Sequence, residues 1–188
     1  MVSIEGVPCH ASTDIVYRLQ RKLAGVPGIA LETPCARMAS PAVDSSCAYA
    51  RIFSFFEALQ ACSPHCRVML MDRSFYSCDS HSLQVMETAR ALNEALLPPV
   101  TLHLMFVLQP DANDAFSDFL ASNTWPGVSL KDVYEYQAAR LKTAKCPTGH
   151  PWNCVSFTIP LPPFCGDNPA ILDDIANDLV AIVLHRLA

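Results

Sequence analysis

Apolar runs of strand length alternate with longer amphipathic segments along this chain of 188 residues. The apolar runs predict five strands, near residues 2–5, 29–31, 68–71, 100–108 and 155–159. Apolar residues at helical spacing predict six helices between and after those runs, at about residues 12–24, 47–61, 80–97, 112–120, 130–144 and from 167 onward. Glycine and proline residues separate most of these segments, as they do between regular elements.

Strands and helices that alternate in this way predict a three-layer α/β fold, with a five-stranded parallel sheet between helices. In such folds, ligands bind at the carboxyl ends of the strands. The chain contains no internal repeat, low-complexity tract or domain-sized linker, and its length suits one hydrophobic core. We therefore expect a single domain over residues 1–188.

The composition narrows the class of function. Hydrophobic residues make up 51% of the chain, charged residues make up 16%, and the formal net charge is −5. We therefore expect no nucleic-acid partner bound by bulk electrostatics. No apolar run reaches the length of a membrane span, and the first residues lack the pattern of a signal peptide. These features predict a cytoplasmic, soluble protein with no membrane partner, whose nine cysteines are reduced thiols.

The segment from Gly6 to Thr13 joins the first strand to the first helix, which is where phosphate-binding loops occur. Such a loop reads G-x-x-x-x-G-K-[ST], and a gapless match puts Ala11 at the second glycine and Ser12 at the lysine. Matching Ser12-Thr13 to the Ser-Thr end of the loop leaves it one residue short and still without the lysine that bridges the phosphates. An ordinary strand–turn–helix is the alternative. The candidate phosphate contacts are Gly6, Ser12, Thr13 and His10, which can bind an anion when protonated.

Directly after the third predicted strand the chain reads Asp72-Arg73-Ser74-Phe75-Tyr76-Ser77. This segment closely resembles the E-R-S-V-Y-S segment of the deoxynucleoside kinase (thymidine kinase) family, with aspartate in place of glutamate. The resemblance implies a P-loop kinase-like fold, in which Asp72 helps to hold Mg²⁺ through water. It also implies that Arg73 lies beside the substrate's 5′-hydroxyl and phosphates. A structural ion pair at the end of the strand is the alternative interpretation of these two residues.

Four further segments resemble the same family and extend the resemblance over most of residues 1 to about 145. Residues 3–6 (S-I-E-G) resemble its first strand. Residues 33–38 (T-P-C-A-R-M) resemble its E-P-V-x-x-W segment, residues 55–58 (F-F-E-A) its F-x-x-F-Q-x region, and residues 128–133 (V-S-L-K-D-V) its V-P-L-x-Y-L segment. The resemblance implies that Glu32 is the general base, although it stands one residue before the family's glutamate. It also implies a nucleoside pocket lined by Met38, Phe56, Glu57 and Tyr76. Glu57 replaces a base-reading glutamine, and a carboxylate accepts hydrogen bonds but cannot donate them.

The segment that corresponds to the family's lid, residues 112–127, contains no basic residue. No Lys or Arg occurs anywhere between Arg90 and Lys131. In the family, the lid carries arginines that fold over the phosphates and stabilise the transferring group. Phosphoryl transfer depends on positioning and positive charge, and one missing arginine finger costs about 10³–10⁵ in rate. The sequence therefore predicts that phosphoryl transfer is weak or lost.

Two functions follow as expectations. The first is a divergent, viral-like deoxynucleoside kinase that transfers a phosphoryl group from ATP to a nucleoside 5′-hydroxyl with Mg²⁺. The second is a non-catalytic descendant of such a kinase, used as a structural or interaction protein. The family's mode of pairing implies a homodimer, through the helix around Leu83 to Leu96.

Cysteine and histidine also occur at zinc-like spacings, in Cys62-x-x-His65-Cys66 and Cys78-x-x-His81. Spacings of this kind recur in any cysteine-rich chain. Buried thiols with a surface histidine are therefore the expectation, and no zinc is expected.

Overall fold

The structure is a computed structural model, and its description covers residues 1–6, 12–27, 29, 31–32, 53, 56–63, 65–72, 83–95, 100–110, 114–122, 124–125, 128–129, 131–132, 135, 153–162 and 168–187. The strands are β1 Val2–Gly6, β2 Leu31–Glu32, β3 Val68–Asp72, β4 Leu102–Pro110, β5 Thr124–Trp125, β6 Val128–Ser129 and β7 Asn153–Leu161. The helices are α1 Ser12–Ala24, α2 Leu83–Glu94, α3 Asp114–Ser122 and α4 Pro169–Leu187. Residues 56–60, 131–132 and 135 are helical as well, inside helices that the sequence predicts.

The strand β1 lies at the centre of the main sheet. Strands β3 and β4 pair with it on either side, and β7 pairs with the outer side of β4. These four strands are parallel, and the two-residue β2 makes two parallel residue pairs with β3, so the strand order is β2-β3-β1-β4-β7. The prediction of an α/β protein with a parallel sheet is therefore confirmed.

One face of the sheet packs against α1 and α4. Helix α1 buries Ile15, Leu19 and Leu23, one turn apart along a single stripe, against Ile4 of β1 and Phe106 of β4. Helix α4 adds a second buried stripe to the same core, made of Leu172, Ala176, Leu179 and Val183. Each fully buried aliphatic side chain of this kind contributes about 1.5–3 kcal/mol relative to exposure, so this core fixes α1 over β1.

The opposite face of the sheet is buried too. Ser3 and Glu5 alternate with Val2 and Ile4 along β1, and all four are excluded from solvent. A central strand of a parallel sheet is covered on both faces, because crossover connections place helices on each side. The parallel sheet is therefore flanked by helices, as the alternation of elements along the chain predicts.

The observed elements differ from the predicted ones at their ends. The strand predicted from Val100 begins to pair at Leu102. The backbone of Val100 makes its hydrogen bonds with the side chain of Asn93 instead of with a neighbouring strand. Asn93 Nδ2 donates to the carbonyl of Val100 (3.3 Å), and the amide of Val100 donates to Asn93 Oδ1 (3.1 Å). The second strand, predicted at residues 29–31, is observed at Leu31–Glu32.

Strands β5 and β6 form a short antiparallel pair in the stretch between the helices predicted at 112–120 and 130–144, where no strand is predicted. Thr124 pairs with Ser129, and Trp125 pairs with Val128. Pro and Gly at positions 126 and 127 are the residues that favour a tight turn between such strands. Among the described helices, none is long and apolar enough to cross a membrane.

Asn168 caps the N-terminus of α4, and its replacement gives a first testable prediction. Its Oδ1 accepts hydrogen bonds from the amides of Ala170 (3.1 Å) and Ile171 (3.4 Å), which have no partner inside the helix. Replacing Asn168 with alanine should lower the free energy of unfolding by about 1 kcal/mol, measured by urea denaturation. Asn168→Asp keeps the accepting oxygen and should stay close to the wild type; an equal loss in both variants would contradict the capping role.

Candidate functional site

The carboxyl end of β1 is the place where the strand order reverses. The chain leaves β1 for β2 and β3 on one side, and after β3 it crosses to β4 and β7 on the other side. In open parallel sheets, ligands bind outside the carboxyl ends of the strands at such a reversal. Helix α1 begins here, because residues 7–11 alone separate Gly6 at the end of β1 from Ser12.

A hydrogen bond joins the first turn of α1 to the carboxyl end of β3. Thr13 Oγ1 donates to Asp72 Oδ2 at 2.8 Å. The pairing of β1 with β3 explains the contact, since Asp72 lies in register with Ile4, whose side chain faces α1. Two residues that are 59 positions apart in sequence therefore meet at the reversal point.

The second carboxylate oxygen of Asp72 is buried and, within the described part of the chain, has no hydrogen-bond partner. A buried polar atom without a partner costs about 1–3 kcal/mol, more when it is charged. Native structures contain few such atoms, and each calls for an explanation, an ion among them. The orphaned Oδ1 therefore marks this carboxylate as a position that a bound group would complete.

The oxygen donors at this position suit Mg²⁺. This ion prefers hydroxyl, carboxylate and water oxygens, and proteins commonly hold it through one or two carboxylates together with substrate phosphates. Asp72 and Thr13 offer that set, with Oδ1 of Asp72 available. Among the residues that the structure describes, no group of three or more His, Cys, Asp or Glu side chains comes together as a metal cage. A cation held here would take its remaining ligands from water or from a bound phosphate.

The charges around the first turns of α1 bear on anion binding. The helix N-terminus favours negative charge, but Asp14 in the first turn already supplies a negative side chain. Further along the helix, Arg18 and Lys22 pair with Asp173 of α4, at 2.6 and 3.6 Å. The hydrogen bond from Arg18 is the main reason that the pKa of Asp173 is lowered. Both cations thus hold α1 to α4.

The other predicted site residues fall into two groups. Gly6 ends β1, Ser12 is buried at the start of α1, and the backbone of Glu32 pairs with Met69 at the end of β2. Phe56 is buried, whereas Glu57 beside it is exposed, so the two point in different directions from their helix. The remaining four lie outside the described residues: His10, Met38, Arg73 and Tyr76.

Sequence reasoning missed Glu5 as a notable residue of this region. It is fully buried on β1, one residue before Gly6, and it lies on the face of the sheet opposite Ile4. The signal was present in the sequence, because a charged residue inside a central parallel strand must be buried with a partner. Glu5 and Asp72 therefore belong to opposite faces of the sheet.

Comparison of the chain with protein-family models finds no matching family, and comparison with curated proteins finds no significant relative.

Proposed function

We propose that this protein is a P-loop kinase-like protein of deoxynucleoside kinase descent, which binds a Mg²⁺–nucleotide at the carboxyl end of β1. The observation that carries the proposal is the hydrogen bond from Thr13 to Oδ2 of Asp72, together with the buried Oδ1 of Asp72, which has no hydrogen-bond partner among the described residues. In P-loop proteins the hydroxyl that ends the loop and an acid on a neighbouring strand hold Mg²⁺ between them. Thr13 and Asp72 have the residue types, the positions and the distance for those two roles.

The residues also support a division of the roles around the ligand. In this proposal Thr13 and Asp72 hold the metal, and Ser12 and the α1 amides contact the phosphates. Arg73 is the next residue after Asp72 in the sequence. Glu32, the expected general base, ends β2, and its backbone pairs with Met69 of β3, three residues before Asp72. The resemblance assigns the nucleoside pocket to Met38, Phe56, Glu57 and Tyr76. Of the two that the structure describes, Phe56 is buried and Glu57 is exposed.

Phosphoryl transfer by this site should be slow. The loop lacks its lysine, residues 112–127 carry no cation, and Arg18 and Lys22 of α1 are engaged with Asp173. An arginine finger alone accounts for a factor of about 10³–10⁵ in rate. We therefore expect turnover to be lower by at least this factor than in a kinase that has the loop lysine and the lid arginines. Binding of the Mg²⁺–nucleotide loses less than catalysis, because α1 and Asp72 remain.

The second candidate function is a non-catalytic interaction protein that binds no nucleotide. The acidic Asp14 in the first turn of α1 favours it, because this side chain already meets the charge preference of the helix N-terminus and repels phosphate. On this alternative the Thr13–Asp72 contact is a structural link between α1 and β3, and a homodimer or another partner would be the functional unit.

One experiment separates the two candidates. Thermal unfolding is followed with Mg²⁺–ATP, with thymidine and with both, and transfer of labelled phosphate to the four deoxynucleosides is measured in parallel. We expect the midpoint to rise with Mg²⁺–ATP, since a ligand at 100 times its Kd stabilises the folded state by about 2.7 kcal/mol. Transfer should be barely above background.

The outcomes assign the function. No shift with any ligand would overturn nucleotide binding and leave the interaction protein. A rise in the unfolding midpoint with Mg²⁺–ATP together with rapid phosphate transfer would show that basic residues outside the described ones contact the phosphates. It would contradict the slow-transfer part of the proposal.

A further inference from the structure

A second polar cluster lies across the amino-terminal part of the sheet, away from the Thr13–Asp72 site. It consists of Ser3 on β1, His103 on β4 and Cys154 on β7, three strands that are neighbours in the sheet. The two hydrogen bonds involved span 100 and 51 positions of sequence. The sheet therefore assembles the cluster, and no local motif would reveal it.

His103 is fully buried and is held from both sides. Its Nε2 lies 2.7 Å from Ser3 Oγ, and its Nδ1 lies 3.9 Å from Cys154 Sγ, within the range of a sulfur hydrogen bond. In the neutral imidazole one nitrogen donates and the other accepts. If Nε2–H donates to Ser3 Oγ, the lone pair of Nδ1 faces the thiol. In that tautomer the imidazole can accept a proton from Cys154.

Cys154 itself is partly exposed on β7, which is an edge strand of the sheet as far as the described residues show. A buried general base and an accessible thiol next to it are the two parts of an activated sulfur nucleophile. Transfer of the proton would give a thiolate and an imidazolium side by side. This pair is neutral overall, so burial opposes it less than it opposes an isolated charge.

Two other thiols in the described part of the chain provide an internal comparison. Cys62 and Cys66 are also partly exposed. Their thiols donate to backbone carbonyls, Cys62 to Ala58 at 3.5 Å and Cys66 to Val68 at 3.2 Å. A carbonyl oxygen accepts the S–H hydrogen bond but does not take the proton, so it favours the unreactive thiol. Cys154 differs because an imidazole nitrogen lies within reach of its sulfur.

We propose that Cys154 is a nucleophilic modification site, with His103 as its general base and Ser3 as the residue that positions His103. Its substrates are small-molecule disulfides such as oxidised glutathione. The thiolate of Cys154 attacks one sulfur of the disulfide, the S–S bond breaks, and the second sulfur leaves as a thiolate. The proton held on His103 passes to that leaving thiolate, so one disulfide and one thiol give one mixed disulfide and one thiol.

The test is the rate at which individual cysteines of the folded wild-type chain form mixed disulfides with oxidised glutathione at pH 7. Time points are quenched with acid, and the peptides are quantified by mass spectrometry. A fall of one unit in thiol pKa raises the thiolate fraction about tenfold near neutral pH. We therefore expect Cys154 to react at least about tenfold faster than Cys62 and Cys66. A rate equal to or below theirs would overturn the proposal without any mutation.

Two variants test the assigned roles. His103→Gln keeps hydrogen-bonding capacity but cannot take the proton at neutral pH, so the rate at Cys154 should fall to that of Cys62 and Cys66. Ser3→Ala should lower it by a smaller factor, and Ser3→Thr, which restores the hydroxyl, should recover it. The unchanged rates at Cys62 and Cys66 report that each variant remains folded. An undiminished rate at Cys154 in folded His103→Gln would remove the general-base role and the proposal with it.

Discussion

Replacing Phe106 with alanine is expected to lower the free energy of unfolding by about 3–5 kcal/mol. Phe106 is fully buried on β4, in the core between the sheet, α1 and α4. Its ring stacks on that of Phe157 of β7, with the ring centroids 5.4 Å apart. The substitution removes this aromatic contact and leaves a cavity that the rigid sheet cannot close, which is why the cost exceeds that of the lost burial alone.

Urea denaturation followed by circular dichroism measures the change, and Phe53→Ala is the matched control. Phe53 has 49% of its surface exposed, so its truncation should alter the free energy of unfolding by no more than about 0.5 kcal/mol. A loss below 1 kcal/mol for Phe106→Ala would mean that β4 does not run through the centre of the core.

Replacing Asp72 with alanine is expected to separate stability from ligand binding. The change removes the hydrogen bond to Thr13, worth about 1 kcal/mol, and it also removes a buried oxygen whose missing partner costs about as much. The free energy of unfolding should therefore stay within about 1 kcal/mol of the wild-type value. Affinity for Mg²⁺–ATP should fall about 10- to 100-fold, the usual cost of losing a carboxylate that orders a metal's shell.

Asp178→Ala is the control for this prediction. It deletes an exposed carboxylate of the same type on α4, so both stability and affinity should match the wild type. Stability is measured by urea denaturation and affinity by titration calorimetry. A loss of several kcal/mol in Asp72→Ala, with Mg²⁺–ATP affinity unchanged, would favour the structural link between α1 and β3 over the metal site.

Much of the fold was accessible from the sequence because its strongest patterns are local. Burial leaves a pattern within a single segment in each of these elements: apolar runs in β1, β3, β4 and β7, and apolar stripes at helical spacing in α1 and α4. The element ends were less accessible, because they depend on single side chains from elsewhere. Asn93 of α2 holds Val100 before β4 begins, and nothing near Val100 in the sequence reveals this.

The candidate site divides in the same way. The sequence puts Thr13 at the start of a helix and Asp72 at the end of a strand, which is enough to nominate each of them. Their contact joins residues 59 positions apart and depends on β3 lying next to β1, a pairing that no local pattern encodes. The bond between Ser3 and His103 went unforeseen for the same reason, since it forms only when β4 pairs with β1.

The most direct test of the central proposal is the Mg²⁺ dependence of ATP binding, measured by titration calorimetry on the wild type, Thr13→Ser and Thr13→Val. Serine keeps the hydroxyl that Thr13 presents to Asp72, and valine keeps the shape of threonine without it. We predict that the wild type and Thr13→Ser bind ATP with Mg²⁺, and that a chelator or Thr13→Val weakens binding at least about tenfold. Equal ATP affinity with and without Mg²⁺, or in Thr13→Val and the wild type, would contradict a metal–nucleotide site at Thr13 and Asp72.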